Sequence, residues 1–245
     1  MLKRSPLPYS FGPFMAVPSG NNADSVFSGG FRSTRRRVLF LISFAAAAIF
    51  VLLAASLESG AVRLADRGTA EIVSGFRAPL LTSVMFFVTN LGAAAAVGLL
   101  SLVAVTVLIK NGRLFDALFL AAAVFLSLAS GEFLKEALAV ARPPFSLIPA
   151  AGGSFPSGHT LAIASFALPA ALIFWRSGAS RPMKIFTVAA AGAAIFAVAV
   201  SRLYLGVHWL SDVAGSFLLA VFWTAVLAAV WQSLVKKPET SSINH

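Results

Sequence analysis

The chain has 245 residues, of which 58% are hydrophobic and only 11% charged, with a mean hydropathy of +0.87. Soluble domains carry roughly 25% charged residues, so the composition excludes an ordinary soluble enzyme. Cysteine is absent, which removes disulfides, thiol catalysis and thiolate metal sites. The formal charge of +10 fits the excess of Lys and Arg in cytoplasmic loops of membrane proteins, so nucleic acid is not expected as a partner.

In chain order, residues 1–37 are polar and end in Arg35-Arg36-Arg37. Too apolar-poor to fold alone, they are expected to be a disordered basic cytoplasmic tail, with the Arg run as a topology anchor. Val38–Leu57 carries no charge and, at about 1.5 Å per residue, reaches the ~30 Å of a bilayer core. The polar leader and the apolar run are both too long for a signal peptide, so this is read as the first span. Residues 58–78 mix Arg63, Asp66, Arg67, Glu71 and Arg77 with apolar residues, the pattern of interfacial helices. Residues 79–91 form a short apolar lead-in. Leu91–Ile109 is read as the second span and Leu114–Leu134, with Asp116 at its start, as the third. Gly158–Trp175 is the fourth, in which Pro169 is expected to introduce a kink. Ile185–Val200 and Val213–Leu234 are the fifth and sixth. Their many Ala and Gly residues allow close helix approach in lipid. Residues 235–245, ending in His245, form a short cytoplasmic tail. The predicted fold is therefore all-α: an integral membrane bundle of six transmembrane helices, residues 38–234, with interfacial helices after the first.

With both termini cytoplasmic, the inner segments hold most of the Lys and Arg, including Arg35, Arg36, Arg37, Lys110, Arg113, Arg176, Arg181, Lys184, Lys236 and Lys237. The outer ones hold Arg63, Arg67, Arg77, Lys135, Arg142 and Arg202. This satisfies the positive-inside rule. It also brings three polar segments to the outer face. They are Lys135 to Arg142-Pro143, Pro156-Ser157-Gly158-His159, and Ser201-Arg202 to His208 and Asp212.

Taken singly, each segment has an ordinary explanation. Lys135 and Arg142 could snorkel to head groups, and Lys135 could pair with Glu132 on a helix. Ser157 could cap a helix, and His208 and Asp212 could be a satisfied i,i+4 pair. Jointly they gather both non-terminal His and three cations at one membrane face, where ionisable groups are costly and usually functional. Phosphoryl transfer needs little from a protein beyond positioning and charge. Lys135, Arg142 and Arg202 supply cations for phosphate oxygens, the Arg forks donating in parallel. Ser157 supplies a hydroxyl, and Gly158 lets the helix-start amides approach an anion. Ser157 and His208 are both candidate nucleophiles. His208 is the better placed, because Asp212 can hold the proton on its second nitrogen. His159 is then the acid for the leaving oxygen and the base for water. No metal or other cofactor is required by this scheme.

These three segments resemble the signature of the type 2 phosphatidic acid phosphatase family, which shares its site with vanadium haloperoxidases. The pattern Lys-x6-Arg-Pro, Pro-Ser-Gly-His, Ser-Arg-x5-His-x3-Asp is present in order without substitution, and the resemblance spans roughly residues 38–234. It implies a six-helix bundle and a site on the periplasmic or extracellular face of a bacterial inner membrane. It also implies a phosphohistidine on His208, and this resemblance chiefly decides between His208 and Ser157. The implied activity is metal-independent hydrolysis of a lipid phosphate or diphosphate: phosphatidic acid, phosphatidylglycerol phosphate, undecaprenyl diphosphate or lipid A. The linker 144–155 is too short for a soluble insert, so the site is expected to open sideways or upward to the bilayer. No obligate protein partner is inferred. A vanadate-dependent haloperoxidase, a transporter with charges at mid-membrane and a silent lipid-binding relative are the alternatives.

Overall fold

The computed structural model describes residues 21–234. The tail residues 1–20 and 235–245, His245 included, lie outside the described residues. The chain divides into two compact units at Arg35 and Arg36, and the bundle is the second of them. The helices are α1 (Asn21–Ala55), α2 (Gly60–Ser74), α3 (Pro79–Thr89), α4 (Ala94–Lys110), α5 (Leu114–Leu138), α6 (Gly158–Trp175), α7 (Arg181–Tyr204) and α8 (Leu210–Leu234). The polar segment 1–37 is thus described only in part, and from Asn21 onward it belongs to a helix.

Among the described residues, five helices are long and apolar enough to cross a membrane, and a sixth span arises if α3 and α4 count as one bent element. The protein is an all-α integral membrane bundle. The second span is not the straight Leu91–Ile109 helix expected. Leu91 lies in a 3-10 turn, Asn90–Gly92, and the chain bends by 46° between α3 and α4. A Cβ on Gly92 would stand 2.7 Å from the His159 carbonyl oxygen, so α6 touches the chain where it bends. The interfacial region 58–78 forms one helix, α2, whose start is held by Ser59 Oγ accepting from the Val62 amide at 3.4 Å.

Helices α5, α7 and α8 run further than the apolar stretches that announced them. Lys135 therefore sits in the last turn of α5 and Arg202 in the last turn of α7. Helix α6 is the central element, packed against α5, α7 and α8. Its Ala162, Ala164, Ala167 and Ala171 are buried, as expected where close packing replaces the hydrophobic drive between helices in lipid. The helix continues through Pro169, which is itself buried. Phe44, Leu52, Phe125 and Phe196 point outward and present the apolar surface a bilayer solvates.

At the end of the bundle away from the three motifs, Asp116 closes α5 onto α8. It accepts from Trp231 Nε1 at 2.8 Å and from Arg113 Nε at 2.6 Å. Trp231 stacks on Phe119 at 4.8 Å between ring centroids, and the Arg176 guanidinium lies 4.2 Å from its ring. A buried carboxylate held by these two donors is paired, not functional by default.

Candidate active site

The three motif segments meet. Lys135, Arg142, Gly158, His159, Arg202 and His208 line one cavity of about 430 Å³, bounded by Thr89 and Asn90 and by the linker at Ile148–Ala151. The alternation of spans brings the C-terminal ends of α5 and α7 and the N-terminal ends of α6 and α8 to this one place.

His208 precedes α8 rather than sharing a helix face with Asp212. Trp209 takes the N-cap position, and its amide donates to Asp212 Oδ2 at 2.8 Å. This is the reciprocal half of a capping box, with the third helical residue reaching back to the cap amide. Asp212 Oδ2 also meets His208 Nδ1 at 3.2 Å, while Ser154 Oγ donates to Asp212 Oδ1 at 3.3 Å. Asp212 is 0% exposed and His208 4%. Burial, then the charges of Arg202, Arg142 and Lys135, push the His208 pKa well below its ordinary value, which favours the neutral ring.

Arg142 fixes which nitrogen carries the proton. Its Nε donates to Gly152 O at 3.1 Å, and its Nη2 to Ala151 O and Gly153 O at 2.9 and 3.0 Å. Its Nη1 donates to Val207 O at 2.9 Å and lies 3.4 Å from His208 Nε2. A guanidinium has five N–H donors and no acceptor. The contact with Nε2 therefore needs a lone pair on that nitrogen, and the ring proton sits on Nδ1 facing Asp212. Nε2 is left with its lone pair toward the cavity. The same census shows that Arg142 spends four of its donors on carbonyl groups, so it organises the 151–153 loop as well as charging the cavity.

Arg202 is 4% exposed, and its Nη1 donates to Thr89 Oγ1 at 2.8 Å. Its Nε is buried without an acceptor. Such a donor costs about 1–3 kcal/mol when unmet, and an oxyanion in the cavity would meet it. Lys135 Nζ pairs with Glu132 Oε1 at 2.7 Å. Gly158 leaves room for that ammonium, since a Cβ there would stand 3.3 Å from Lys135 Nζ. Gly153 packs on the last turn of α5, where a Cβ would meet Lys135 O at 2.6 Å. The turn between α7 and α8 requires Gly206: its φ is +68°, and a Cβ would meet Arg77 Nη2 at 2.6 Å and Phe145 O at 2.8 Å. Arg77, counted from sequence only as an outer cation, donates to Tyr204 O and Phe145 O at 3.2 Å each.

Of the candidate phosphate-binding residues, Ser157 is the one whose side chain does not line the cavity. It is 0% exposed, and its Oγ lies 3.1 Å from Thr160 Oγ1. Nor does it cap α6 through its side chain. Its backbone ties α6 to α8 instead, its amide donating to Asp212 O at 3.2 Å and its carbonyl accepting from Ser216 Oγ at 2.9 Å. Thr89, Ser154 and Trp209 hold Arg202 and Asp212, and the sequence reading did not single them out. Ser154 and Trp209 lie close to the motifs and were open to suspicion on that ground. Thr89 sits in an apolar stretch with nothing to mark it. Among the described residues, no group of three His, Cys, Asp or Glu side chains is placed to hold a metal.

A buried imidazole–carboxylate pair facing three cations, at one end of an all-helical membrane bundle, defines a membrane hydrolase of the phosphatase type. The pattern of the PAP2 superfamily matches residues 116–236, which include every candidate site residue. Phosphatidylglycerophosphatase B of Bacillus subtilis (strain 168) is 31% identical over 180 residues, 70% of this chain and 86% of that protein. Phosphatidylglycerophosphatase B of Escherichia coli (strain K12) is 39% identical over 80 residues, 33% of this chain and 29% of that one. Among solved structures, the transmembrane PAP2 type phosphatidylglycerolphosphate phosphatase from Bacillus subtilis superposes with a TM-score of 0.71 at 26% identity, covering 80% of this chain and 98% of that one. LpxE of Aquifex aeolicus shares the fold, with a TM-score of 0.55 at 21% identity over 66% of this chain and 94% of its own. The chain belongs to the PAP2 superfamily.

Proposed function

We propose that the protein hydrolyses a lipid phosphate through a phosphohistidine on His208. The observation that carries this reading is the placement of the His208 ring: Nδ1 lies against Asp212 while Nε2 faces the cationic cavity beside Arg142. Nε2 attacks phosphorus, and the bond from phosphorus to the lipid oxygen breaks. His159 donates a proton to that oxygen, and the lipid alcohol leaves; from a diphosphate the lipid monophosphate leaves instead. Water then attacks phosphorus, giving its proton to His159. The P–N bond breaks, its electron pair returns to Nε2, and inorganic phosphate departs. Lys135, Arg142 and Arg202 offset the charge on the phosphoryl oxygens, and the α6 N-terminus at Gly158 adds its dipole. Asp212 stabilises the phosphoimidazolium formed in the first step, and cleavage of the P–N bond returns His208 to the neutral imidazole.

A lipid substrate is supported by the way the cavity continues. Lys135, Gly158 and His159 also line a second space of about 230 Å³, which shares Leu128 and Glu132 with a groove of about 520 Å³ between α4 and α5. That groove, lined by Leu102, Val105, Val124 and Phe125, gives an acyl or prenyl chain an apolar surface beside the phosphate site. Phosphatidylglycerol phosphate, the substrate in the names of the relatives above, is the first compound to assay. Undecaprenyl diphosphate, phosphatidic acid and a lipid A phosphate complete the panel. With the positive-inside arrangement, the site lies at the periplasmic or extracellular surface of a bacterial inner membrane.

Phosphate release is measured in detergent without added metal. The expected result is turnover by the wild type, none by His208→Ala, and inhibition by vanadate. Retained turnover in His208→Ala moves the nucleophile to another residue. Halide oxidation supported by vanadate would replace this reading with a haloperoxidase.

A further inference from the structure

We propose that Asp66, on the interfacial helix α2, is a positioning residue for the His208–Asp212 pair, acting through Ser211. The inference rests on the phosphatase reading above. Asp66 is 8% exposed in a helix that otherwise offers its apolar side chains Leu64 and Ile72 outward. Its Oδ1 accepts from the Ser211 amide at 2.9 Å and its Oδ2 from the Ser211 hydroxyl at 2.8 Å. Ser211 is the second residue of α8, immediately before Asp212.

A helix start leaves its first four amides without intrahelical partners. In α8 the cap amide of Trp209 goes to Asp212 Oδ2, and the Ser211 amide goes across to Asp66. Asp66 thus caps α8 from another helix, with a carboxylate placed where the helix dipole favours negative charge. Burial raises its pKa, and the Ser211 hydrogen bonds act in the opposite direction. The two amide bonds fix the first turn of α8 in one register. That register sets Asp212 Oδ2 between Trp209 N and His208 Nδ1. Without Asp66 the turn is anchored from one side only, and the carboxylate that holds the tautomer of His208 can drift. Asp66 does not line the cavity that holds His159 and His208; it borders a separate space with Ser211 and Trp209, so its loss is expected to act on kcat and to leave binding of the phosphate alone.

The test is steady-state turnover of a phosphatidylglycerol phosphate micelle by the full-length protein, with rates referred to the folded fraction from size exclusion. Asp66→Ala is expected to lower kcat about 10–100-fold with KM within about threefold, the range set by loss of one charged hydrogen-bond anchor. Asp66→Asn keeps both partners, its Oδ1 accepting from the Ser211 amide and its Nδ2 donating to the hydroxyl, and restores most of kcat. Ser211→Ala loses the hydroxyl bond alone and falls between. Added to Asp66→Ala, it lowers kcat no further. Full kcat in folded Asp66→Ala, a loss confined to KM, or Asp66→Asn no better than Asp66→Ala overturns the proposal. If Asp66→Ala does not fold, Ser211→Ala decides: wild-type kcat there overturns it equally. Wild-type protein that releases no phosphate from any lipid refutes the phosphatase reading, whereas a working wild type with an indifferent Asp66 refutes only this one.

Discussion

Replacing Arg142 by Lys separates charge from geometry at the site. The positive charge stays, but the planar fork is lost. In the native protein four donors go to the carbonyls of Ala151, Gly152, Gly153 and Val207, and a fifth contact reaches His208 Nε2. An ammonium has three donors at a single point and cannot span carbonyls from the 151–153 loop and from Val207 at once. Two of the carbonyl bonds, to Gly152 and Ala151, are solvent-exposed, and water can replace them with little loss. The bonds to Val207 and Gly153 are partly buried, and a charged donor there contributes about 1.5 kcal/mol or more each. Losing one or both costs about 1.5–3 kcal/mol, which is roughly 10–150-fold in kcat/KM if it is felt in the transition state. The assay is phosphate release with the folded fraction controlled. Arg142→Lys is expected to lose most of what Arg142→Ala loses. If Arg142→Lys stays within about threefold of wild type, the fork has no role and Arg142 acts as a point charge.

His159→Gln should depress turnover of lipid phosphomonoesters far more than of aryl phosphates, whose leaving groups need no proton; equal losses would remove His159 as the acid. Thr89→Val strips Arg202 of its one side-chain acceptor and should lower kcat/KM about 10–100-fold, the value of one buried charged hydrogen bond. An unchanged value would show that Arg202 is held by packing. The pH dependence follows from His208, whose ring is kept neutral by burial and by Arg202, Arg142 and Lys135. Below about pH 6.5 the unfolded chain takes up a proton at this residue while the folded one does not, so stability falls as pH drops toward the folded pKa. The acid limb of kcat/KM accordingly lies below that pH. Removing one cation in Lys135→Met should move it upward, the substrate's own ionisation cancelling in the comparison. Ala139, at the end of α5, has φ +44°, a left-handed conformation that costs a Cβ about 1–2 kcal/mol. Ala139→Gly should therefore raise thermal stability by about 1 kcal/mol after the entropy of Gly is offset.

The fold was legible because lipid imposes one condition, long apolar runs with satisfied backbones, and Leu114–Leu134 and Gly158–Trp175 state it openly. The helix ends were less so. Arg202 looks like a loop residue by hydropathy, yet α7 carries it because its charge is buried against Thr89. The bend between α3 and α4 was hidden, since nothing in Asn90-Leu91-Gly92 by itself distinguishes a kinked span from a lead-in. The spacing of His208 and Asp212 pointed to the right pair for a partly wrong reason: a cap, not a shared helix face, joins them. Ser157 misled because its place beside Gly158 and His159 suggested a hydroxyl in the cavity, whereas its backbone carries the contacts that matter. Asp66 and Thr89 were beyond reach, because their partners lie 145 and 113 residues away and no local pattern records such a distance.

The placement of charge at this site also follows from how the bundle is built. Up-and-down spans bring alternating helix ends to each membrane face, so α5 and α7 arrive by their C-termini and α6 and α8 by their N-termini. The helix dipole favours cations at the former and anions at the latter. Lys135 and Arg202 occupy the C-terminal turns, while Asp212 occupies the first turn of α8 and Gly158 opens α6. Lys135, Arg202 and Asp212 therefore stand where their own helices already stabilise them, and Arg142 alone comes from the linker. The buried carboxylate behind His208 is held by a helix start with two further donors, not by a compensating cation. The three cations thus line the cavity without being drawn into an ion pair with Asp212.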